Sequence, residues 1–559
     1  IYDINKVIKI LKENNKLRFA SKGDKIVEIN NKVIDNSLEY LTTFEVPEEW
    51  KDLEYKDNQK LTFNESINLL KGDTLPVSSF IKNKEGIFEG TTTKEEKRNI
   101  AEEVPCWISE NCIECNQCAF SCPHGVIRPF LLDKKDSKVE SIPSLLPKDK
   151  EFTIGINYEE CTGCGVCTLA CPGKLGKKAL EMVPNKDKEN NFEYLLKNNV
   201  NDKYQSNLLT VKNVSFKEPK FEYSGACAGC GETPYITNLT RVFNDNLMIA
   251  NATGCSSIYS GSVPSMPYSI PWASSLFEDN TEYGYGILQG INIKRDKIKK
   301  YMKEYPRNKL FKKWIENMDN YDICKEVKEN IDYKKHPYLN DMKDYILPKQ
   351  LWVLGGDGFA YDIGYGGLDH VLSKKDNINI LVLDTEVYSN TGGQSSKSSN
   401  IGSVASFTSN GKDNYKKDLA RIAMCYPHVY VASVNIGYNK EQYLKAIKEA
   451  SLHNGPSLII AYSPCIEHGI KTGMQHSQSN GYLATKCGYF LTFRYNPDTK
   501  KFSLDSKEPE FDKYEDYLMT ENRFASLVRK DKERARLLLE EQKQWAIDRY
   551  NYYKKISEE

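Results

Sequence analysis

Leu351-Trp-Val-Leu354 runs into Gly355-Gly-Asp-Gly358, and Ile378-Asn-Ile-Leu-Val-Leu383 runs into Asp384-Thr385-Glu386. Each is a short, β-rich apolar run that ends in glycine, a carboxylate or a hydroxyl. Three further runs have the same shape: Asn246-Leu-Met-Ile-Ala250 leading to Thr253-Gly254-Cys255, His428-Val-Tyr-Val-Ala432, and Ser457-Leu-Ile-Ile-Ala461 leading to Pro464-Cys465. Helical patterns lie between them. Near-continuous apolar runs mark strands buried on both faces, and their alternation with helices predicts an α/β domain built on a doubly wound parallel sheet. Ligands of such sheets sit outside the carboxyl ends of the strands, where four of these five runs place their Gly, Cys, Asp or Thr.

Gly356-Asp357-Gly358 has the makings of a phosphate and metal loop. Glycines let the backbone approach phosphate oxygens, and the helix that follows offers N–H groups and the positive end of its dipole. Asp357 supplies a hard carboxylate of the kind Mg²⁺ takes, and Thr385 stands 28 residues on at the end of the next strand. A lone Gly-Asp-Gly also makes ordinary turns; the second oxygen ligand on the neighbouring strand gives it weight. Upstream, Cys227-Ala-Gly-Cys230-Gly-Glu232 and Asn251-Ala-Thr-Gly-Cys255-Ser-Ser257 bring three cysteines, one short of a tetrahedral metal or iron–sulfur set.

Two complete bacterial ferredoxin runs precede them: Cys112-x2-Cys115-x2-Cys118-x3-Cys122-Pro123 and Cys161-x2-Cys164-x2-Cys167-x3-Cys171-Pro172. In this pattern the fourth cysteine of each run crosses to the other cluster. One [4Fe–4S] cluster is therefore expected on Cys112, Cys115, Cys118 and Cys171, and the other on Cys161, Cys164, Cys167 and Cys122. Structural zinc sites show paired CxxC units with longer spacers instead. Cys106, Cys324, Cys425 and Cys487 fall outside these sets and carry no metal spacing.

A chain of 559 residues has room for three or four domains of about 100–200 residues each. Lys plus Arg equals Asp plus Glu at 77, so there is no basic footprint for nucleic acid. No run approaches the roughly 18 apolar residues of a membrane span. Clustered CxxC units in an α/β setting point to metal ligation in a reducing, cytoplasmic compartment rather than to a disulfide scaffold. Residues 1–45 read as the tail of a preceding domain and 46–105 as a connector, with short helices at Ile4–Asn15 and Leu61–Lys71 and a linker helix at Thr91–Ile100. Residues 106–200 form a small α+β ferredoxin-like 2×[4Fe–4S] domain in which 131–156 is a surface loop. Residues 201–520 form the parallel-sheet domain with a helical insertion at 288–349, and 521–559 a closing helical segment. The start lacks a Met, which reads as the interior of a longer chain.

Gly356-Asp-Gly358 followed by Thr385-Glu-Val-Tyr-Ser-Asn390-Thr-Gly-Gly-Gln394 resembles the thiamine-diphosphate signature of the pyruvate:ferredoxin (flavodoxin) oxidoreductases, with Asp384-Thr385 where the general signature has an Asn pair. Cys227-Ala-Gly-Cys230-Gly-Glu-Thr-Pro and Ala252-Thr-Gly-Cys255-Ser-Ser-Ile-Tyr259 are similar to that family's proximal-cluster motifs. Tyr462-Ser-Pro-Cys465-Ile-Glu-His468-Gly469 matches the motif that carries its fourth ligand. Gly72–Phe80 and Glu96–Ala101 resemble the family as well. The resemblance implies a third [4Fe–4S] cluster on Cys227, Cys230, Cys255 and Cys465. It implies Mg²⁺ on Asp357, the Thr385 hydroxyl and the Val387 carbonyl, with Asn390 facing the substrate as the catalytic residue. Thiamine diphosphate would be bound by Glu232, Thr253, Gly254, Cys255, Ser256, Gly356, Asp357, Gly358, Phe359, Thr385, Glu386, Val387, Tyr388, Ser389 and Asn390. The activity implied is oxidative decarboxylation of pyruvate to acetyl-CoA and CO2, with electrons passed to ferredoxin or flavodoxin. The family's pyrimidine-binding and coenzyme A domains have no match in this sequence, so the chain is expected to supply a half-site and an electron relay within a homodimer. The competing readings are an electron-transfer module without catalysis of its own, and an oxidoreductase of another 2-oxoacid.

Overall fold

The computed structural model describes residues 3–20, 23–51, 61–83, 90, 92–95, 97–185, 190–204, 206, 208–261 and 266–559, so Glu96 lies outside the described residues. Two units result, Ile1–Leu75 and Pro76–Glu559, and the division falls inside the segment read as a connector. In the first unit the helix Ile4–Phe19 outlasts the expected Asn15, because Asn15 is buried and donates from Nδ2 to the Val27 carbonyl of the helix Asp24–Asn36 (3.0 Å). A capping box of Thr62 and Glu65 starts the short helix Phe63–Asn68.

The linker helix expected at Thr91–Ile100 does not form. A single 3₁₀ turn, Thr92–Glu95, is followed by irregular backbone in which Lys97 and Asn99 adopt positive φ. The side chain of Thr93 donates to the Glu222 carbonyl, Arg98 Nη1 to the Ser224 carbonyl and Asn99 N to the Glu159 carbonyl, all long-range bonds that outbid a helical ladder.

The ferredoxin-like part holds five strands: β1 (Glu103–Trp107), β2 (Ile127–Leu132), β3 (Ile142–Pro143), β4 (Glu151–Ile156) and β5 (Leu180–Pro184). β1 pairs antiparallel with β5, and β2, β4 and β3 form an antiparallel sheet. The expected surface loop at 131–156 is thus corrected: its ends are strands. Phe152, Ile154 and Ile156 are buried, β3 lies in the middle, and only the Lys- and Pro-rich stretches on either side of β3 behave as loops.

The large sheet runs β13-β12-β10-β11-β9-β8-β6-β7, with β6 (Leu247–Ala252), β7 (Trp272–Ser275), β8 (Gln350–Gly355), β9 (Asn379–Asp384), β10 (Tyr430–Val434), β11 (Ser457–Tyr462), β12 (Phe493–Asn496) and β13 (Lys501–Leu504). Six strands are parallel, and β12 and β13 close one edge antiparallel. The five expected strands are all present and the α/β doubly wound class holds. β7, β12 and β13 are additions; they are short strands of mixed polarity, β7 and β13 at the two edges and β12 between β13 and β10. The helical insertion begins at Asn280, earlier than expected, and packs its own core around Phe311, Trp314 and Cys324. Helices Asn522–Lys530 and Lys532–Glu558 close the chain, burying Leu538 and Leu539 while Leu537 faces out. Among the described residues no helix is long and apolar enough to cross a membrane.

Candidate functional site

The loops at the carboxyl ends of β6, β9 and β11 converge with the segment that enters the helix Thr233–Phe243. Gly231 makes the closest approach: its N–H donates to the Pro464 carbonyl (3.1 Å), and a Cβ there would lie 2.4 Å from that same oxygen. Tyr235 adds a second tie, its hydroxyl donating to the Tyr462 carbonyl at the end of β11 (2.8 Å). The result is a cavity of about 190 Å³ lined by Cys227, Cys230, Cys255, Cys465, Glu232 and Asn390, with Thr385 at its wall. Four thiols from three loops therefore share one space with residues expected to bind thiamine diphosphate.

Burial pushes the Cys465 thiol up to about 12 and raises Cys230 and Cys255 further, with Glu232 and neighbouring thiols adding to the rise. Gathering such groups in a dry cavity is unfavourable for thiolates unless a cationic centre compensates them. Burial also lifts Glu232 to about 7 against the opposing hydrogen bond from the Tyr259 hydroxyl (2.9 Å).

The metal loop meets a similar test. Asp357 is 3 % exposed; its Oδ2 accepts from Ser396 Oγ (2.6 Å), while Oδ1 has no hydrogen-bond partner. Burial, then the Asp384 carboxylate, drives its pKa well above the usual range. A buried carboxylate with one oxygen unsatisfied suits a hard cation. The Thr385 hydroxyl and Val387 carbonyl lie 2.9 Å apart, and Ser389 Oγ donates to Thr385 Oγ1 (2.9 Å), so the loop presents clustered oxygens. The absence of a side chain at Gly358 is required here, since a Cβ would meet the Tyr388 ring at 2.8 Å.

Other expected cofactor residues lie elsewhere. Phe359 is core beneath the loop, and Ser256 is buried at the start of the helix Cys255–Gly261. Thr253, beside Gly254, is exposed and donates to the Ser275 carbonyl. The Glu386 carboxylate turns into a buried ion network instead: Lys416 Nζ reaches both Glu386 Oε1 and Asp384 Oδ2 at 2.7 Å, and Arg523 pairs with Glu386 (2.9 Å) and with Glu521 (2.6 Å). Sequence reasoning missed Lys416, Arg523 and Glu521: Arg523 and Glu521 are two residues apart, but the Asp384 and Glu386 carboxylates that Lys416 and Arg523 meet lie 30 or more residues away with no spacing signal. His468 joins this network to both sites. Its Nε2 donates to the Thr385 carbonyl (2.6 Å), and Nδ1 accepts from the Cys465 N–H (3.4 Å). Burial holds its pKa down to about 3, so the ring is neutral.

Cys112, Cys115, Cys118 and Cys171 line one further cavity, and Cys122, Cys161, Cys164 and Cys167 another. The crossed assignment thus matches how the structure groups the eight thiols. The second set faces the site just described: the Gly229 N–H reaches Cys164, and a Cβ on Gly165 would contact Gln475. Among the described residues no three His, Cys, Asp or Glu side chains converge on one point as a single-ion site demands. His124 is buried and bonds the Ser224 carbonyl through Nδ1 (3.2 Å), a packing role.

Residues 111–175 match the 4Fe-4S dicluster domain, residues 344–461 the C-terminal TPP binding domain of thiamine pyrophosphate enzymes, and residues 63–101 a domain of unknown function. The chain is 41 % identical to a pyruvate:ferredoxin oxidoreductase of Moorella thermoacetica, covering 100 % of this chain and 51 % of that protein. It is 39 % identical to a pyruvate-flavodoxin oxidoreductase of Enterobacter agglomerans with the same coverage, and 36 % identical to a pyruvate dehydrogenase [NADP(+)] of Cryptosporidium parvum, of which it covers 34 %. The chain spans about half the length of these pyruvate:ferredoxin and pyruvate-flavodoxin oxidoreductases. Over its whole length, this chain is a homologue of the C-terminal part of the pyruvate:ferredoxin and pyruvate-flavodoxin oxidoreductases.

Proposed function

We propose that this chain is the thiamine-diphosphate/Mg²⁺ half-site and electron relay of a cytoplasmic pyruvate oxidoreductase, which makes acetyl-CoA and CO2 and reduces ferredoxin or flavodoxin. The observation that carries the reading is the single cavity that four thiols share with Glu232, Thr385 and Asn390. Bound thiamine diphosphate supplies the electron sink for the carbanion left when CO2 departs. Asp357, the Thr385 hydroxyl and the Val387 carbonyl would hold Mg²⁺, which would neutralise diphosphate charge, and Ser396 holds Asp357 through Oδ2 (2.6 Å). Asn390 lies at the cavity wall, where it orients the substrate. Glu232 titrates near 7, so it can hold or release a proton at Oε1 while Tyr259 anchors Oε2.

Cys227, Cys230, Cys255 and Cys465 would hold a third [4Fe–4S] cluster at their end of that cavity, next to Glu232, Thr385 and Asn390. One-electron oxidation needs such a neighbour, because a 2-oxoacid gives up two electrons and each cluster accepts one. The set Cys122, Cys161, Cys164 and Cys167 comes next and Cys112, Cys115, Cys118 and Cys171 last, an order supported by the contacts of Gly229 and Gly165. The pyrimidine half-site and most coenzyme A contacts belong to chain outside this sequence, and the complete enzyme is a homodimer.

Titration calorimetry of the iron-loaded chain with thiamine diphosphate tests the half-site. Binding that requires Mg²⁺ and disappears in Asp357→Ala is the expected result. Equal binding by Asp357→Ala would overturn the catalytic reading in favour of an electron-transfer module. Alone, the chain should reduce little or no low-potential dye with pyruvate; robust turnover would refute the half-site reading.

A further inference from the structure

Resting on the cysteine sets assigned above, we propose that Arg241 is the shared counter-charge of the two ferredoxin-type clusters, a fixed cation between them that raises both reduction potentials and lets both hold an electron at once.

Arg241 lies in the helix Thr233–Phe243 and is 0 % exposed. Its partners are neutral: Nη1 donates to the Ala119 carbonyl (3.1 Å) and to Asn238 Oδ1 (2.9 Å). Nε and Nη2 have no hydrogen-bond partner, and no carboxylate pairs with this side chain among the described residues. Arg128 is buried as well, but it has the Glu222 carboxylate. A buried cation without an acid is strongly unfavourable and calls for a compensating negative charge. Of the groups whose charge reaches Arg241, Arg128 is another cation and the rest are Cys122 and Cys118. Only the two cysteines can supply the compensation.

Those cysteines come from different sets. Cys118 is in the helix Gln117–Ser121 and Cys122 directly follows it, while Ala119, which Arg241 holds, stands between them. Both thus lie within roughly 5 Å of Ala119 along the helix axis. Asn238 Nδ2 donates to the next carbonyl, that of Phe120 (2.9 Å), so one helix turn grips the segment that joins the two sets. Burial, with Arg128 adding, pulls the Arg241 pKa down to about 9 against the two thiols, which leaves a cation at pH 7.

A [4Fe–4S] core on four thiolates is a net anion, and each electron it accepts adds a negative charge while no bond forms or breaks. Net charge and hydrogen bonds at the sulfurs set the potential of such clusters. An electron on one cluster also repels the next electron from its neighbour. A cation between the two favours the reduced form of each and screens that repulsion, which suits a relay fed two electrons by one 2-oxoacid. At an effective dielectric of about 20, a unit charge about 10 Å away shifts a one-electron equilibrium by about tenfold or more.

The test is an EPR-monitored redox titration of the iron-loaded chain. Arg241→Gln should lower the reduction equilibrium constant of both ferredoxin-type clusters about tenfold, which is 59 mV for a one-electron couple. The third cluster, at the other end of the helix Thr233–Phe243, is the internal reference and should move much less. Arg241→Lys keeps the charge and should stay within about threefold of wild type. Asn238→Asp keeps Arg241 but sets a carboxylate against Nη1, so it should lower both constants in the same direction as Arg241→Gln; a purely structural role would not follow charge in this way. At a fixed potential the spin-coupled signal of the doubly reduced pair should shrink in both neutralising variants. Constants within about twofold of wild type in Arg241→Gln and Asn238→Asp would overturn the proposal, as would equal falls in Arg241→Lys and Arg241→Gln. If Arg241→Gln takes up no iron, Asn238→Asp decides alone. A wild-type chain whose eight ferredoxin-type cysteines take up no iron would overturn the relay reading instead.

Discussion

Arg523→Met removes the middle cation of a buried network that supports both cofactor loops. Arg523 is 6 % exposed and lies between Glu386 and Glu521, which are 2 % and 0 % exposed. Burial alone would raise Glu386, but Lys416 and Arg523 overcome it and hold the group near 2; Glu521 sits above its ordinary value because burial outweighs Arg523. Breaking a buried pair by removing one member costs about 3–5 kcal/mol. Glu386 keeps Lys416 at 2.7 Å and the Tyr489 hydroxyl, and Glu521 can take up a proton, so the lower end applies, about 3 kcal/mol. For a domain of this size that is a fall of roughly 4–5 °C in the melting temperature, measured by calorimetry at pH 7. The sign with pH follows from Glu386. Its depressed pKa contributes stability that is complete above about pH 5 and is lost as pH falls toward 2, so the gap between wild type and variant narrows on acidification. Adding Glu521→Gln to Arg523→Met removes the second stranded charge, so the pair should cost less than the two single changes added together. A melting temperature within 2 °C of wild type, or strictly additive single and double variants, would refute the network's role.

Cys465→Ser should cost about one third of the iron and leave the two ferredoxin-type spectra intact, since its loop touches neither of their cavities; iron analysis with EPR decides it, and unchanged iron would place the fourth ligand elsewhere. Gly231→Ala drives a Cβ into Pro464 and should part the Cys230 and Cys465 loops, with the same selective iron loss and little change in the other two spectra. His468→Leu should weaken Mg²⁺-dependent thiamine diphosphate binding several-fold and also perturb the third cluster's EPR signal, because it frees the Thr385 carbonyl and the Cys465 N–H together; an effect on one site alone would show that the ring does not couple them.

The features legible in the sequence are those written in short-range spacing. The CxxCxxC runs, the Gly-Asp-Gly turn and the five apolar strands each fit within about a dozen residues, and their physics is local: cluster loops need close cysteines, and buried strands need unbroken apolar stretches. Lys416 offers no such signal. It reads as one more surface lysine in Tyr415-Lys-Lys417, and only the fold places Asp384 and Glu386 around it. Glu386 sits in the thiamine signature, yet its carboxylate is also bonded to Lys416 and Arg523, a pairing that no local spacing announces. At 131–156 charged stretches disguised the end of β2, the short β3 and all of β4, and at 91–100 long-range bonds from Thr93, Arg98 and Asn99 stand where composition favoured a helix.

The ion network also bears on why the two cofactor loops keep their spacing. Thr385 ends β9 and Cys465 follows β11, its neighbour in the sheet, so the ladder fixes the strands but leaves the loops beyond them free to splay. A neutral His468 spans that gap, donating to one loop and accepting from the other, and it can do both only while one ring nitrogen lacks a proton. Burial is the main cause that keeps the ring neutral and the Arg523 charge adds to it, against the bond to the Thr385 carbonyl and the Glu386 carboxylate; Glu521, 3.7 Å from Nδ1, is itself paired with Arg523 (2.6 Å). The charge that protects the tautomer thus comes from the start of the C-terminal helices, more than 50 residues beyond the loop it serves. A truncation before Glu521 should therefore disturb the thiamine loop and the third cluster together while sparing the ferredoxin-type pair. The same loss of all three iron signals at once would mean general unfolding instead.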